Sequence, residues 1–83
     1  MWEKNKGFEW AIEQLKNGSA VTREGWNGKN QFIKLASEVY YSVPEGLHVG
    51  GKAIIFFGTS GVQVGWLASQ GDMLAEDWGY YFA

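Results

Sequence analysis

Apolar residues recur along this chain at two different periods, and the change of period divides it. Phe8, Ala11, Ile12 and Leu15 fall at i, i+3, i+4 and i+7, the stripe of an amphipathic helix. Glu9, Glu13 and Lys16 lie off that stripe, and Asn17-Gly18 supplies a stop. Trp10 falls roughly opposite the stripe, where it either faces a partner or folds over onto a neighbouring loop.

From residue 20 the period drops to two. Residues 20–24 and 31–35 read as short strands, the second with Ile33 and Leu35 on one face. Between them Gly25-Trp26-Asn27-Gly28-Lys29-Asn30 reads as a turn, because Asn-Gly tolerates positive φ. That places Trp26 at a hairpin tip, as a lid on the core or a pocket wall. Residues 37–51, with Pro44 and His48, predict a loop or irregular edge strand.

Ile54, Ile55, Phe56 and Phe57 are apolar on both faces of a strand over 52–57, so both faces need cover, one from the helix and one from another subunit. Residues 62–67 alternate as its hairpin partner, with Val62, Val64 and Trp66 on one side. Ser69 followed by Asp72 has capping-box spacing, so 69–77 reads as a short helix or turn. Residues 78–82 return as a last strand, with Trp78, Tyr80 and Phe82 facing one way and Tyr81 the other. The pattern predicts one α+β domain over 1–83: an N-terminal helix packed on an antiparallel sheet of about five strands, with a short helix before the last strand.

Composition adds a constraint on assembly. A chain of 83 residues buries only about 60% of its unfolded surface. Its 46% hydrophobic and 17% aromatic content exceeds what one small core hides, which predicts self-association. With no cysteine, neither disulfides nor thiolate metal sites supply stability. A net charge of −2 and a pI of about 5.2 argue against a nucleic-acid polymer as partner. The charges are segregated: six of seven cations (Lys4, Lys6, Lys16, Arg23, Lys29, Lys34) precede residue 35, while Asp72, Glu76 and Asp77 cluster near the other end. Arg23, Lys29 and Lys34 are the cations available to a small anionic ligand. The N-terminus lacks the apolar run of a secretion signal, and no stretch approaches the roughly 18 apolar residues of a membrane span. The expectation is a protein neither exported by that route nor held in a membrane.

The chain carries little that looks catalytic. Ser69, His48 and Asp72 make a triad only on paper, since no G-x-S-x-G elbow is present. Asp72, Glu76 and Asp77 lack the D-x-D-x-D-G spacing of a calcium loop. The G-L-H-V-G-G run at 46–51 neither joins a clear strand to a helix nor precedes G-K-[ST], so it is no phosphate loop. What remains is an aromatic-rich stretch, 65–78, in which Trp66 and Trp78 bracket Ser69, Gln70, Asp72 and Asp77. Flat rings beside the amide groups of a helix start suit a ligand that carries both a base and phosphates. The same residues also suit a core and a cap, and composition does not choose between the two.

The blocks R-E-G-W-N-G-K (23–29) and W-L-A-S-Q-G-D-M-L-A-E-D-W (66–78), after the F-x-x-A-I-x-x-L-K-x-G helix (8–18), resemble the Thoeris anti-defence type two family of small phage sponge proteins. The resemblance covers nearly the whole chain; Ala68 and Gly71 depart from it, standing where proline and threonine are common. It implies a homo-oligomer, a tetramer, in the host bacterial cytoplasm. Such an assembly captures cyclic ADP-ribose isomers, the glycocyclic form being the type ligand, in pockets between subunits. Some relatives also take cyclic dinucleotides at a separate site.

The resemblance implies no catalysis and no cofactor. The ligand-binding set it implies is Phe8, Arg23, Trp26, Asn27, Trp66, Ser69, Gln70, Asp72, Asp77 and Trp78. In that set a purine stacks on Trp26 or Trp66, worth about 1–3 kcal/mol by analogy with base stacking. Asn27, Gln70 and Asp72 meet adenine edges and ribose hydroxyls, and Arg23 with the amides after Ser69 meets the pyrophosphate. The competing expectation is a protein-binding module that inhibits a host enzyme through Trp2, Trp10 and neighbouring aromatics.

Overall fold

The computed structural model describes residues 5–26, 30–37, 40–43, 46–49 and 51–82. Helix α1, Phe8–Lys16, is followed by strands β1 (Val21–Arg23), β2 (Phe32–Ala36), β3 (Tyr40–Val43), β4 (Gly46–Val49), β5 (Ala53–Gly58) and β6 (Gly61–Val64). Helix α2 (Gln70–Leu74) and strand β7 (Trp78–Tyr80) complete the chain. Five strands form one antiparallel sheet in the order β6-β5-β2-β1-β7, the α+β architecture that the periodicity predicts. Lys6 and Trp78 exchange backbone hydrogen bonds of 2.9 and 3.0 Å, which continues the pairing beyond β7. No helix among the described residues is long and apolar enough to cross a membrane.

The helix stripe packs as its spacing requires. Ala11 and Leu15 of α1 are buried with Val21, Ile33 and Trp78, and Phe8, Ile12, Leu35, Ile54 and Phe56 close around them. The core thus lies between α1 and one face of the sheet. Trp10, expected on the outward side, is half-buried and meets the Tyr80 ring edge-on at 5.0 Å. Tyr80 in turn donates its hydroxyl to Gln14 Oε1 at 2.7 Å. The indole folds over as one of the two readings required, but onto strand β7 instead of a loop.

The opposite face of the sheet is also apolar. Phe32 stacks between Phe57 (4.6 Å) and Tyr81 (4.2 Å), and Ile55 and Phe57 lie across from Val64 and Val62 in the β5–β6 register. No helix or strand of the described chain covers this face, and Val62 and Val64 are 61% and 58% exposed.

Two local expectations are corrected. Residues 37–51 contain a regular antiparallel hairpin, β3–β4, as a separate two-stranded sheet instead of a loop or an irregular edge. The G-L-H-V segment is strand β4, which removes what was left of a phosphate-loop reading. Trp66 is not on the side of Val62 and Val64. The amides of Gly65 and Trp66 both donate to the Ile54 carbonyl, at 3.0 and 2.8 Å, and Gly65 has φ +79°. Two residues opposing one, the first a left-handed glycine, define a β-bulge. The bulge ends strict alternation, so Trp66 joins the core side with Phe56 while Val62 and Val64 stay on the other.

Candidate functional site

Helix α2 is too short to persist alone and is held by its side chains. Ser69 is its N-cap. The Asp72 N–H donates to Ser69 Oγ at 3.1 Å, and the Ser69 N–H donates back to Asp72 Oδ2 at 3.1 Å, the capping box that the spacing predicts. The Ser69 hydroxyl also donates to Oδ2, at 2.9 Å. The other carboxylate oxygen, Oδ1, accepts Arg23 Nη1 at 2.8 Å and Trp26 Nε1 at 3.0 Å. The backbone carbonyl of Asp72 accepts the indole N–H of Trp78 at 3.0 Å. One residue therefore ties two tryptophans and an arginine to the short helix.

Asp77 completes the arrangement. It accepts Arg23 Nε on Oδ1 at 2.8 Å and the Gly25 N–H on Oδ2 at 2.8 Å. A Cβ at Gly25 would lie 2.9 Å from that same Oδ2, so the close approach requires glycine. Burial pushes the Asp72 carboxyl up, but hydrogen bonds from Trp26, Arg23 and Ser69 outweigh it and hold the carboxyl below its ordinary range. Asp77 follows the same pattern: burial opposes, while Arg23 and the Gly25 amide prevail. The Arg23 guanidinium is raised by Asp77 first, against some desolvation, and by Asp72.

Around this network stand the aromatic rings. Trp26 meets Phe56, Trp66 and Trp78 edge-on, at 5.3, 6.1 and 5.3 Å, with planes 73–82° apart. Trp26 and Trp66 are half-buried, whereas Trp78 is fully enclosed and lies 5.6 Å from the Phe8 ring. Leu67, next to Trp66 in the chain, is 86% exposed, and Leu74, the last residue of α2, is 74% exposed.

The fold thus brings Arg23, Trp26, Trp66, Ser69, Asp72, Asp77 and Trp78 together, with Phe8 joined through Trp78. Gln70 is exposed on α2, and Asn27, Lys29 and Trp2 lie outside the described residues. Two expected roles change. Arg23, held between two carboxylates, belongs to a triad with one net negative charge (+1 − 2 = −1), so it is not a ready phosphate cation. Of the amides after Ser69, that of Asp72 is taken by Ser69 Oγ.

Sequence reasoning missed Phe56, the ring that backs both Trp26 and Trp66. Gly65, an isolated glycine in a strand pattern, was the available signal for the bulge that brings Trp66 there. A hollow of about 420 Å³ between Ser19, Ala20, Tyr80, Tyr81 and Phe82 includes none of the expected site residues. Among the described residues no three His, Asp or Glu side chains gather as metal ligands.

By its sequence the chain falls in a class of anti-defence proteins, those that counter Thoeris. It belongs to the Thoeris anti-defense 2-like family, whose domain matches residues 7–81. A similar protein is Thoeris anti-defense 2 of Bacillus phage SP01, 42% identical over 80 residues that cover 86% of this chain and 89% of the relative.

Proposed function

We propose that the protein blocks Thoeris defence by holding a cyclic ADP-ribose-type signal intact, in a cleft walled by Trp26 and Trp66 and closed by a second copy. The observation that carries this reading is the pair of half-buried indoles, 6.1 Å apart with planes at 73°, fixed on a braced scaffold where aromatic rings of the kind that stack on a purine are gathered. Rigid walls matter because a sponge needs nanomolar affinity, about −12 kcal/mol, which a site that had to order itself would not reach. The pyrophosphate then needs cations other than Arg23: of the two others named for an anionic ligand, Lys29 follows Trp26 in the chain, while Lys34, opposite Ile55, lies on the far face of the sheet and serves this cleft only from a second copy.

The side chains of the cluster favour capture over turnover. Both carboxylates are held below their ordinary range, Asp72 by Trp26, Arg23 and Ser69 and Asp77 by Arg23 and the Gly25 amide, so neither is poised to move a proton near neutral pH. The Ser69 hydroxyl points to Asp72, and His48 lies on β4 in the separate sheet.

A second copy is supported by the uncovered face that carries Phe32, Ile55, Phe57, Tyr81, Val62 and Val64, and by exposed Leu67 and Leu74 at and near α2. A stable contact of this kind removes about 1,200–2,000 Å² from water.

The test is direct. Purified protein is incubated with glycocyclic ADP-ribose, filtered and heat-denatured, and the released material is analysed. Intact nucleotide recovered only after denaturation supports sequestration. Altered nucleotide would make the protein an enzyme, and no retention would end the proposal.

A further inference from the structure

The carboxylate of Asp72 has no acceptor position left for a ligand. An ionised carboxyl offers about four lone-pair directions. Here Oδ1 takes the Trp26 and Arg23 donors, and Oδ2 takes the amide and the hydroxyl of Ser69. The residue is 8% exposed, so water does not stand in for any of the four. A ribose hydroxyl or adenine amine could reach Asp72 only by displacing a bond that holds the fold.

Trp26 presents the complementary case. Its ring makes three edge-on contacts with Phe56, Trp66 and Trp78, which resist translation but give little preference between the two ways round of an indole. Its single N–H is the directional restraint, and that N–H is given to Asp72 across 46 residues of chain. The segment that carries Trp26 is fixed from the same side: Gly25 N–H and Arg23 Nε to Asp77, and Glu24 N–H to the Asp77 carbonyl at 3.2 Å.

We propose that Asp72 is a positioning residue for Trp26: it sets the orientation of the indole that walls the nucleotide site and does not itself touch the nucleotide. The inference rests on the sequestration reading for its ligand and deepens it. Trp26, its N–H already committed, recognises the ligand through its ring face alone, so the group it takes is a planar base and not a hydrogen-bonding edge.

The test is a double-mutant cycle on the full chain, with glycocyclic ADP-ribose as the probe and retention as the readout. Asp72→Asn is expected to weaken retention about tenfold, the size of a coupling between residues in direct contact. In a Trp26→Phe background, which keeps a flat ring and lacks the N–H, Asp72→Asn is expected to add no further loss. An equal loss in both backgrounds would make Asp72 a ligand contact and overturn the proposal. The unmutated, ligand-free protein gives a second readout that does not depend on any variant folding. The Trp26 indole N–H resonance should shift as the Asp72 carboxyl titrates in acid, below its ordinary 3.8. A Trp26 resonance indifferent to that titration would also overturn the proposal. If the unmutated protein retains no nucleotide, the sequestration reading falls, while the resonance still decides whether Asp72 orients Trp26.

Discussion

The Trp66 amide donates to the Ile54 carbonyl at 2.8 Å, sharing that acceptor with Gly65, and this single shared oxygen decides which face of the sheet the indole occupies. A regular β5–β6 ladder would have put Trp66 beside Val64, on the far face from Trp26. The bulge exchanges one unpaired residue for a tryptophan pair.

Gly65→Val should therefore act twice. Its φ of +79° suits glycine, and a β-branched side chain there costs on the order of 1–3 kcal/mol. Relieving that strain by restoring a regular ladder would turn Trp66 away from Trp26. Denaturant midpoints report the first effect, and tryptophan fluorescence of the folded variant the second. An unchanged spectrum in a folded Gly65→Val protein would show that the bulge does not hold Trp66. In the retention assay this variant and Trp66→Ala should both lose more nucleotide than Trp10→Ala, because Trp10 packs against Tyr80.

Two substitutions in the same short helix should have opposite signs. Ser69→Ala removes the N-cap and two bonds to Asp72, a loss of about 1–2 kcal/mol. Gly71→Ala should stabilise by about 0.5–1 kcal/mol, since a Cβ there meets nothing closer than Ser69 Oγ at 3.7 Å and the helical backbone suits alanine. Thermal unfolding of the two variants side by side tests the pair of signs.

Arg23→Ala should destabilise by about 2–4 kcal/mol at neutral pH, because it strands two partly buried carboxylates. Arg23→Lys should recover only part of this, since one ammonium cannot serve Asp72 and Asp77 in the geometry of the guanidinium fork. The pH dependence follows from the same contacts. Asp72 and Asp77 are held below the ordinary 3.8, so in acid the unfolded chain binds more protons than the folded one. Their contribution is present above that value and is lost as pH falls through the folded values. Urea midpoints should be flat from neutrality to about pH 5, fall below pH 4, and fall less steeply in Arg23→Ala. Parallel acid limbs for the two proteins would contradict the network.

The edge strand supplies the last prediction. Val62→Lys with Val64→Lys changes exposed positions only, so stability should move by no more than about 0.5 kcal/mol at each. Charge on this edge should oppose self-association, read as a smaller mass in solution light scattering, with nucleotide retention falling in parallel. A double variant of unchanged mass would move the contact between copies to another face.

Much of the fold was legible because period is a local property. The α1 stripe, the apolar run of β5 and the Ser69–Asp72 spacing each name their element within a few residues. The β3–β4 hairpin was not, because its strands are only four residues each, lie among Pro44 and several glycines, and show no sustained alternation. The membership of the site was legible only in part. The segregation of opposite charges in the two halves was legible, but it points to cations for a ligand and not to Arg23 meeting Asp72 and Asp77. Their mutual saturation was not, since hydrogen-bond occupancy depends on distances across about fifty residues of chain.

Sequence alone determined α1, the main-sheet strands and the short α2 in their order, the surplus of apolar surface and the family, because these rest on residue spacing and identity. Tertiary structure alone decided which way the four described tryptophans face: Trp10 inward onto Tyr80, Trp66 turned over by a glycine bulge, Trp26 locked to Asp72 and Trp78 enclosed behind them. The reason is that an indole's direction is set by hydrogen-bond partners remote in sequence and by a one-residue change of strand register, and neither leaves a periodic trace in the chain.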